Sequence, residues 1–172
     1  MTWTVPAAEA RTVPWRNGHG STRELCRVPD HDDWLWRLSV ATSTTCAPFS
    51  SFRGVDRELL LLRGHALELR FRDAGTTRLA PGERSRFAGE NPVVGVPTSG
   101  ATEQLNLMWR RDAITAETGF GDLPAGPPPP AGWLVVHALG TGDTTVFDDA
   151  ERVAPDAVGP VYWARLSARV GG

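Results

Sequence analysis

The chain has 172 residues, of which 41% are hydrophobic and 22% charged, so it is long enough for one packed domain and too apolar for a disordered tail. Its formal net charge is −2, and its eighteen basic residues are all Arg. A nucleic-acid-binding domain would carry clustered basic residues and a pI above about 9, so the sequence predicts no nucleic-acid partner.

The start of the chain shows no export signal. It has neither the basic region nor the apolar stretch of a signal peptide, and the longest aliphatic run, 59–62, is too short to cross a membrane. A cytoplasmic protein without membrane contact is therefore expected. Cys26 and Cys46 lack CxxC spacing and have no third Cys beside them, which predicts two free thiols.

The first predicted elements are β-strands at 21–28 and 34–41. In 34–41 the even positions are all large and apolar, whereas the odd positions include Arg37 and Ser39. This alternation is typical of a strand with one fully buried face, and it does not fit a helix.

A meander follows along the chain. Segments 58–62, 66–72 and 76–79 are separated by glycine-containing turns, as in consecutive antiparallel strands. Ten or so short strands without an amphipathic helix predict an all-β sandwich or barrel with little helix. The remaining predicted strands are 93–96, 103–110, 133–138, 144–147 and 161–168.

One segment, 119–132, divides the chain. It contains four consecutive prolines, Pro127–Pro130, and few apolar side chains, which predicts an extended polyproline II spacer rather than a ligand for an SH3-like partner. We therefore expect one compact domain over 1–172, built of two β-barrel-like halves. Its front part is 1–118, its connection is 119–132, and its C-terminal strands lie in 133–172.

Catalytic and metal-binding motifs are not apparent. The four histidines, His19, His31, His65 and His137, are scattered singly, without the HxH, HxxxH or HExxH spacing that aims two imidazoles at one metal ion. The chain also lacks a GxSxG nucleophile turn and a phosphate-binding glycine motif. The sequence therefore predicts no metal and no cofactor.

Three short blocks concentrate polar residues among glycines and apolar residues: 14–25, 48–57 and 104–111. Any one block alone is more typical of a solvated strand face or turn than of a site. Together with two further segments, however, they resemble the HutD/Ves family of small cupin-like proteins. The family pattern is PWKNGGGxTRE, WRLSxA, GPFSxFxGxDR, LxGxxLxL and DxNxMxRR, and the corresponding segments here are 14–24, 36–41, 47–57, 62–69 and 104–111.

Four departures from this pattern are visible: Arg16 replaces Lys, His19 and Ala47 replace Gly, and Gln104 replaces Asp. The last of these removes a carboxylate from the late strand. The resemblance covers about residues 3–111 and implies an RmlC-like jelly roll, a double-cupin β-sandwich without the histidine motifs of metal-binding cupins. It also implies a role in the control of histidine utilisation, through binding of an intermediate such as N-formylglutamate or urocanate.

Arginine placement suggests a small carboxylate ligand. A guanidinium grips a carboxylate in a two-pronged geometry, and Arg23, Arg37, Arg57 and Arg110 all lie in the resembling blocks. Asn17, Thr22, Ser39 and Asn106 are candidates to hydrogen-bond the rest of the ligand, with Trp15 and Phe52 as apolar walls. Alternatively, the arginines pair with Glu24 and Asp56 in a structural network. The predicted ligand-binding set is Trp15, Asn17, Thr22, Arg23, Glu24, Arg37, Ser39, Phe52, Asp56, Arg57, Asn106 and Arg110.

Two functions remain open at this point. The first is a non-catalytic regulatory protein that binds a small carboxylate. The second is a metal-independent isomerase or hydrolase acting on a small acidic metabolite, with Glu24 or Asp56 as base and His19 as its partner, since the fold alone does not decide between them. A homodimer is left open by the sequence.

Overall fold

The computed structural model describes residues 2–15, 18–123, 131–148 and 159–169. These ranges contain fifteen β-strands, and the helical residues among them form one three-residue 3-10 turn, Ala7–Glu9. The predicted all-β fold with little helix is confirmed. Within the described ranges, no helical segment combines the length and apolar character that a membrane crossing requires.

Two compact units make up the chain. The motif unit is Arg11–Arg111, and the split unit combines Met1–Ala10 with Asp112–Gly172. The sequence placed the division at 118–119, whereas the structure places it after Arg111. The first residues join the C-terminal strands because β1 (Thr2–Val5) pairs with β14 (Thr144–Asp148).

The split unit contains a five-stranded antiparallel sheet in the order β1-β14-β13-β15-β12. Its apolar core includes Leu134, Val136, Phe147 and Val161. Removing such side chains from water stabilises the fold by about 1.5–3 kcal/mol each. Its other strands are β12 (Ile114–Gly121), β13 (Gly132–Ala138) and β15 (Val161–Ala168).

The predicted bounds of the spacer, 119–132, are wrong at both ends, since β13 already begins at Gly132. Residues 119–121 belong to β12, where Gly119 pairs with Trp163 of β15. A side chain at position 119 would overlap the Trp163 indole, so glycine here makes room for a cross-strand aromatic ring instead of breaking the strand. Pro127–Pro130 lie outside the described residues.

The motif unit contains two antiparallel sheets. The six-stranded sheet has the order β2-β3-β4-β11-β6-β9, and the four-stranded sheet has the order β5-β10-β7-β8. The first comprises β2 (Arg11–Pro14), β3 (Gly20–Val28), β4 (Trp36–Ser43), β6 (Val55–Arg63), β9 (Arg84–Ala88) and β11 (Thr102–Arg110). The second comprises β5 (Ala47–Pro48), β7 (Leu67–Phe71), β8 (Gly75–Leu79) and β10 (Val93–Pro97).

A leucine-rich core joins the two sheets of the motif unit. Both sheets contribute alternate residues to it, which is how two pleated faces pack together. Its buried members are Leu59, Leu61 and Phe87 from the six-stranded sheet and Leu67, Leu69, Leu79 and Val93 from the four-stranded sheet.

Strand β4 is buried on both faces. Trp36, Leu38 and Val40 are buried, as the alternation predicts, but Ser39 on the other face is also only 2% exposed. Arg37 on that second face is half-buried. The second face is sheltered because it lines a cavity rather than bulk solvent.

The two cysteines are free, and they differ in exposure. Cys46 is exposed, whereas burial raises the pKa of Cys26 to about 12. We expect Ellman's reagent at pH 8 to modify one thiol per chain in the native protein and both in denaturant, because a buried neutral thiol is a poor nucleophile. In native Cys46→Ser, the rapid reaction should disappear. A rapid reaction remaining in that variant would contradict the burial of Cys26.

Candidate functional site

A cavity of ≈ 420 Å³ lies against one face of the six-stranded sheet of the motif unit. Strands β3, β4, β6 and β11 contribute to it, together with the segment that follows β5. Seven of the predicted site residues line this cavity: Trp15, Thr22, Arg37, Ser39, Phe52, Arg57 and Asn106.

Strand register brings these residues together from distant parts of the chain. Arg37 of β4 and Arg57 of β6 each pair with Met108 of β11, which lies between them. Two residues along the same face, Ser39 pairs with Asn106. Since side chains two residues apart share a face, the cavity floor consists of alternate residues from adjacent strands.

Arg57 is the most deeply buried cation of the cavity, with 7% of its surface exposed. Its Nη2 donates to Asn106 Oδ1 at 3.1 Å, and its Nη1 donates to the Ser50 carbonyl at 3.4 Å. The guanidinium carbon lies 5.0 Å from the Phe49 ring centre and 5.3 Å from that of Phe87, both within cation–π range.

No described carboxylate forms an ion pair with Arg57, and its buried Nε has no hydrogen-bond partner among the described residues. Burial, together with the smaller effect of the nearby charge of Arg37, lowers the pKa of Arg57 to about 10. Burying a cation without a counterion costs desolvation free energy, so an anion bound in this cavity would be stabilised by Arg57.

Arg37 is the second cation of the cavity and is less isolated. Its Nη1 lies 3.8 Å from Glu24 Oε2, and its Nε donates to Met108 Sδ at 3.4 Å. Its guanidinium also lies 5.2 Å from the Phe52 ring centre. Burial lowers the pKa of Arg37, while Glu24 acts in the opposite direction. Only one of the two cations therefore has an internal counterion.

Hydrogen bonds fix the polar and aromatic side chains around the cavity. Trp15 Nε1 donates to Thr22 Oγ1 at 2.8 Å, which orients the indole wall. Asn106 Nδ2 donates to the Gln104 backbone carbonyl at 3.3 Å, so its Oδ1 is turned toward Arg57. These contacts hold the lining in place without a ligand.

Gly95 of β10 makes room for the aromatic wall. A Cβ at this position would lie 2.6 Å from the nearest atom of the Phe49 ring. We expect Gly95→Ala to push the ring into the cavity and weaken binding of a small acid by about 10-fold, because the fit is lost. Stability should change by less than about 1 kcal/mol, since the ring is the movable end of a side chain.

Calorimetric titration and thermal unfolding of the Gly95→Ala variant test this expectation. Gly140→Ala is a suitable control, because its added methyl would meet nothing within 4 Å. Unchanged affinity in Gly95→Ala would show that the position of the Phe49 ring does not matter for binding.

Four other predicted residues do not line the cavity. Arg23 lies on the opposite face of β3 from Thr22, since it pairs with Val40 while Thr22 pairs with Ala41. Glu24 pairs with Arg37 and Arg27. The remaining two form ion pairs elsewhere, Asp56 with Arg111 at 2.9 Å and Arg110 with Asp33 at 2.6 Å. Asn17 lies outside the described residues.

Sequence reasoning missed several lining residues. They are Pro14, Ala41, Pro48, Phe49, Ser50, Gln104 and Met108. The alternation of the strands could have found three of them. Ala41 continues the face of Ser39 on β4, and Gln104 and Met108 flank Asn106 on the same face of β11. Phe49 and Ser50 gave no periodic signal, since they lie in a loop beyond the two-residue strand β5.

The acid–base candidates do not converge. His19 Nδ1 is hydrogen-bonded to Thr45 Oγ1 at 2.7 Å, and neither it nor Glu24 or Asp56 lines the cavity. Among the residues with described positions, no group of three His, Cys, Asp or Glu side chains could hold a metal ion. The ionisable side chains in the described lining are Arg37 and Arg57. This arrangement suits anion binding better than proton transfer.

Sequence comparison relates the chain to known proteins. The sequence profile of the HutD family matches residues 7–157. Protein Ves of Cronobacter sakazakii is 38% identical over 109 residues, which is 63% of this chain and 60% of that protein. Protein Ves of Citrobacter koseri is 37% identical over 110 residues, or 63% and 58% of the two chains. The chain thus spans about 60% of the length of these curated relatives.

Two solved structures share the fold over nearly the whole chain. HutD from Pseudomonas fluorescens SBW25 superposes with a TM-score of 0.86 at 21% identity, covering 99% of this chain and 100% of that one. A conserved protein of unknown function from Pseudomonas aeruginosa PAO1 gives 0.83 at 22% identity, covering 97% and 99%. At this level of identity, the likeness shows the fold alone.

Proposed function

The chain belongs to the HutD family of cupin-like all-β proteins, and on that premise we propose that it is a non-catalytic, regulatory protein that binds a small carboxylate. The observation that carries this proposal is Arg57, a guanidinium 7% exposed that lines the cavity without forming an ion pair with any described carboxylate. A carboxylate in the cavity would supply the missing counterion. Hydrogen bonds to charged groups contribute about 1.5–3 kcal/mol each when sheltered.

The size and walls of the cavity support a metabolite-sized ligand. Its volume of ≈ 420 Å³ is in the ordinary range for small-molecule sites. Trp15, Phe49 and Phe52 supply flat apolar walls, while Arg57 and Asn106 offer fixed polar groups. N-formylglutamate and urocanate are the acids we propose first, with control of histidine utilisation as the process.

The ionisable groups of the site support the proposal of binding without turnover. Both such groups in the described lining are arginines, which donate hydrogen bonds and remain cationic near neutral pH. General acid–base catalysis requires a group within reach of the ligand that exchanges a proton near that pH. The proposed role is therefore recognition of the acid and not its conversion.

Thermal unfolding and calorimetry with N-formylglutamate and urocanate test the proposal, with the diamide of N-formylglutamate and the primary amide of urocanate as matched neutral probes. A ligand that binds only the native state at 100 times its Kd stabilises it by about 2.7 kcal/mol. We expect the acids to raise Tm and the amides to have much less effect, and NMR should recover each acid unchanged. Equal effects of acid and amide, or steady turnover, would contradict the proposal.

Asn106→Asp provides an internal competitor for the ligand. Its side chain would place a carboxylate oxygen where Asn106 Oδ1 now lies, 3.1 Å from Arg57 Nη2. We expect the affinity for N-formylglutamate or urocanate to fall by about 10-fold or more, because Arg57 would then have a counterion of its own. Calorimetry measures the loss, and Asn106→Ser serves as the uncharged control. Wild-type affinity in Asn106→Asp would indicate that Arg57 does not anchor the acid.

A further inference from the structure

The cavity has a cationic end and an uncharged end. One row across β4, β11 and β6 consists of Arg37, Met108 and Arg57. A second row contains the pair Ala41 and Gln104, which lies four residues away from the first row on both strands. At about 3.4 Å per residue, the two rows are about 14 Å apart at the backbone. Among the described residues, those of the Gln104 row that line the cavity carry no charge.

Gln104 presents a buried acceptor at the uncharged end. Its side chain lines the cavity and is 0% exposed. Nε2 donates to Ser43 Oγ at 2.7 Å, which uses the donor side of the amide. Oε1 is buried and receives no hydrogen bond from any residue whose position is described. A buried carbonyl oxygen in this state is stabilised by a ligand that brings a donor to it.

We propose that Gln104 is a specificity-determining residue, which selects acids carrying an uncharged N–H or O–H donor at the end opposite the carboxylate. This inference rests on the proposed binding of a small acid and adds the second half of the ligand. The carboxylate occupies the Arg37 and Arg57 end, and the donor meets Gln104 Oε1. The orphan donor Arg57 Nε and the orphan acceptor Gln104 Oε1 are thereby satisfied by one molecule.

Because the Gln104 side chain offers an uncharged acceptor, it disfavours several chemical groups at this end of a ligand. A second carboxylate at this end would face the lone pairs of Oε1 and could accept nothing from it. An acceptor such as an ester would leave Oε1 unpaired and add its own desolvation cost. An ammonium group would find one neutral acceptor and no counterion. The site therefore favours an acid whose carboxylates lie at the arginine end and whose opposite end carries an amide-like or hydroxyl group.

Four probes of matched length separate these cases in the wild-type protein. They are glutaramate, monomethyl glutarate, glutarate and 5-aminopentanoate, each measured by calorimetry at pH 7 and repeated with the six-carbon series. We expect the amide acid to bind about 5- to 150-fold more tightly than the methyl ester, since only the amide supplies a donor. The dianion and the cation should bind more weakly than the amide acid.

Variants at position 104 then assign the selectivity to this side chain. In Gln104→Leu the amide and ester acids should differ by less than about 2-fold, because the acceptor is gone. In Gln104→Glu the preference should move toward 5-aminopentanoate, since a carboxylate pairs with its ammonium group. Glu103→Gln, on the opposite face of β11, is the control and should keep the wild-type order.

The outcomes distinguish this inference from the proposal on which it rests. If none of the acids binds, the proposed function fails and the inference fails with it. If the acids bind but the amide and the ester are equal, or the ester is better, the role of Gln104 is overturned while carboxylate binding stands. The wild-type comparison decides this even where a variant at position 104 does not fold.

Discussion

Replacing Arg57 with Met is expected to weaken the binding of N-formylglutamate or urocanate by about 100-fold, while the protein remains about as stable as the wild type. The loss of affinity follows from removing a buried guanidinium that the ligand carboxylate would pair with. Stability should be retained because an unpaired buried cation costs desolvation energy, and a similarly sized apolar side chain in its place is often neutral or stabilising. The cation–π contacts with Phe49 and Phe87 offset part of that gain.

Calorimetric titration and urea unfolding of Arg57→Met measure the two effects separately. Arg110→Gln is the matched control: Arg110 lies in the same family segment as Asn106, but it pairs with Asp33 outside the cavity. Its variant should bind within about 2-fold of wild type. A large loss of stability in Arg57→Met would favour the alternative in which Arg57 belongs to a structural network.

Gly20→Ala is expected to destabilise the fold by about 3 kcal/mol. A Cβ at Gly20 would overlap the Thr42 backbone carbonyl and would lie 3.0 Å from the Trp15 ring. The backbone carbonyl belongs to the β3–β4 ladder and cannot turn aside, so the strands must separate or shift.

Gly18→Ala provides the comparison, because Gly18 has a φ of 72° and nothing within 4 Å of an added Cβ. Its cost should be the backbone strain alone, about 1 kcal/mol. Urea unfolding of both variants gives the two values. Equal losses at the two positions would indicate that the close approach at Gly20 is relieved without strand movement.

Patterns within single strands are enough to predict most strands of the fold. The predicted segments coincide with ten of the strands, and alternation identified the two faces of β4, because the pleat imposes a period of two wherever one side is buried. It did not find β2, whose residues are all exposed, since no face of that strand is buried. Alternation alone also did not show that the face of Ser39 is sheltered, because a cavity shelters a polar face without leaving an apolar pattern in the sequence.

The sequence does not determine which charged residues form ion pairs with one another when they lie far apart in the chain. Arg110 and Asp56 were as plausible as Arg57 from their motif blocks, and the difference lies in Asp33 and Arg111, which form ion pairs with them. Arg23 shows a different failure. Its position in a family motif predicts a ligand contact, but its neighbour Thr22, on the other face of β3, lines the cavity instead.

The pairing of β1 with β14 has a consequence for folding during synthesis. Thr2 of β1 lies opposite Phe147 of β14, so about 140 further residues must be synthesised after β1 before its partner strand exists. All strand partners of the motif unit lie within Arg11–Arg111, and they are complete before β14 leaves the ribosome. Because units fold as their contacts become available, the cavity-bearing unit can form first, while the emerging N-terminal strand stays unpaired until late in translation.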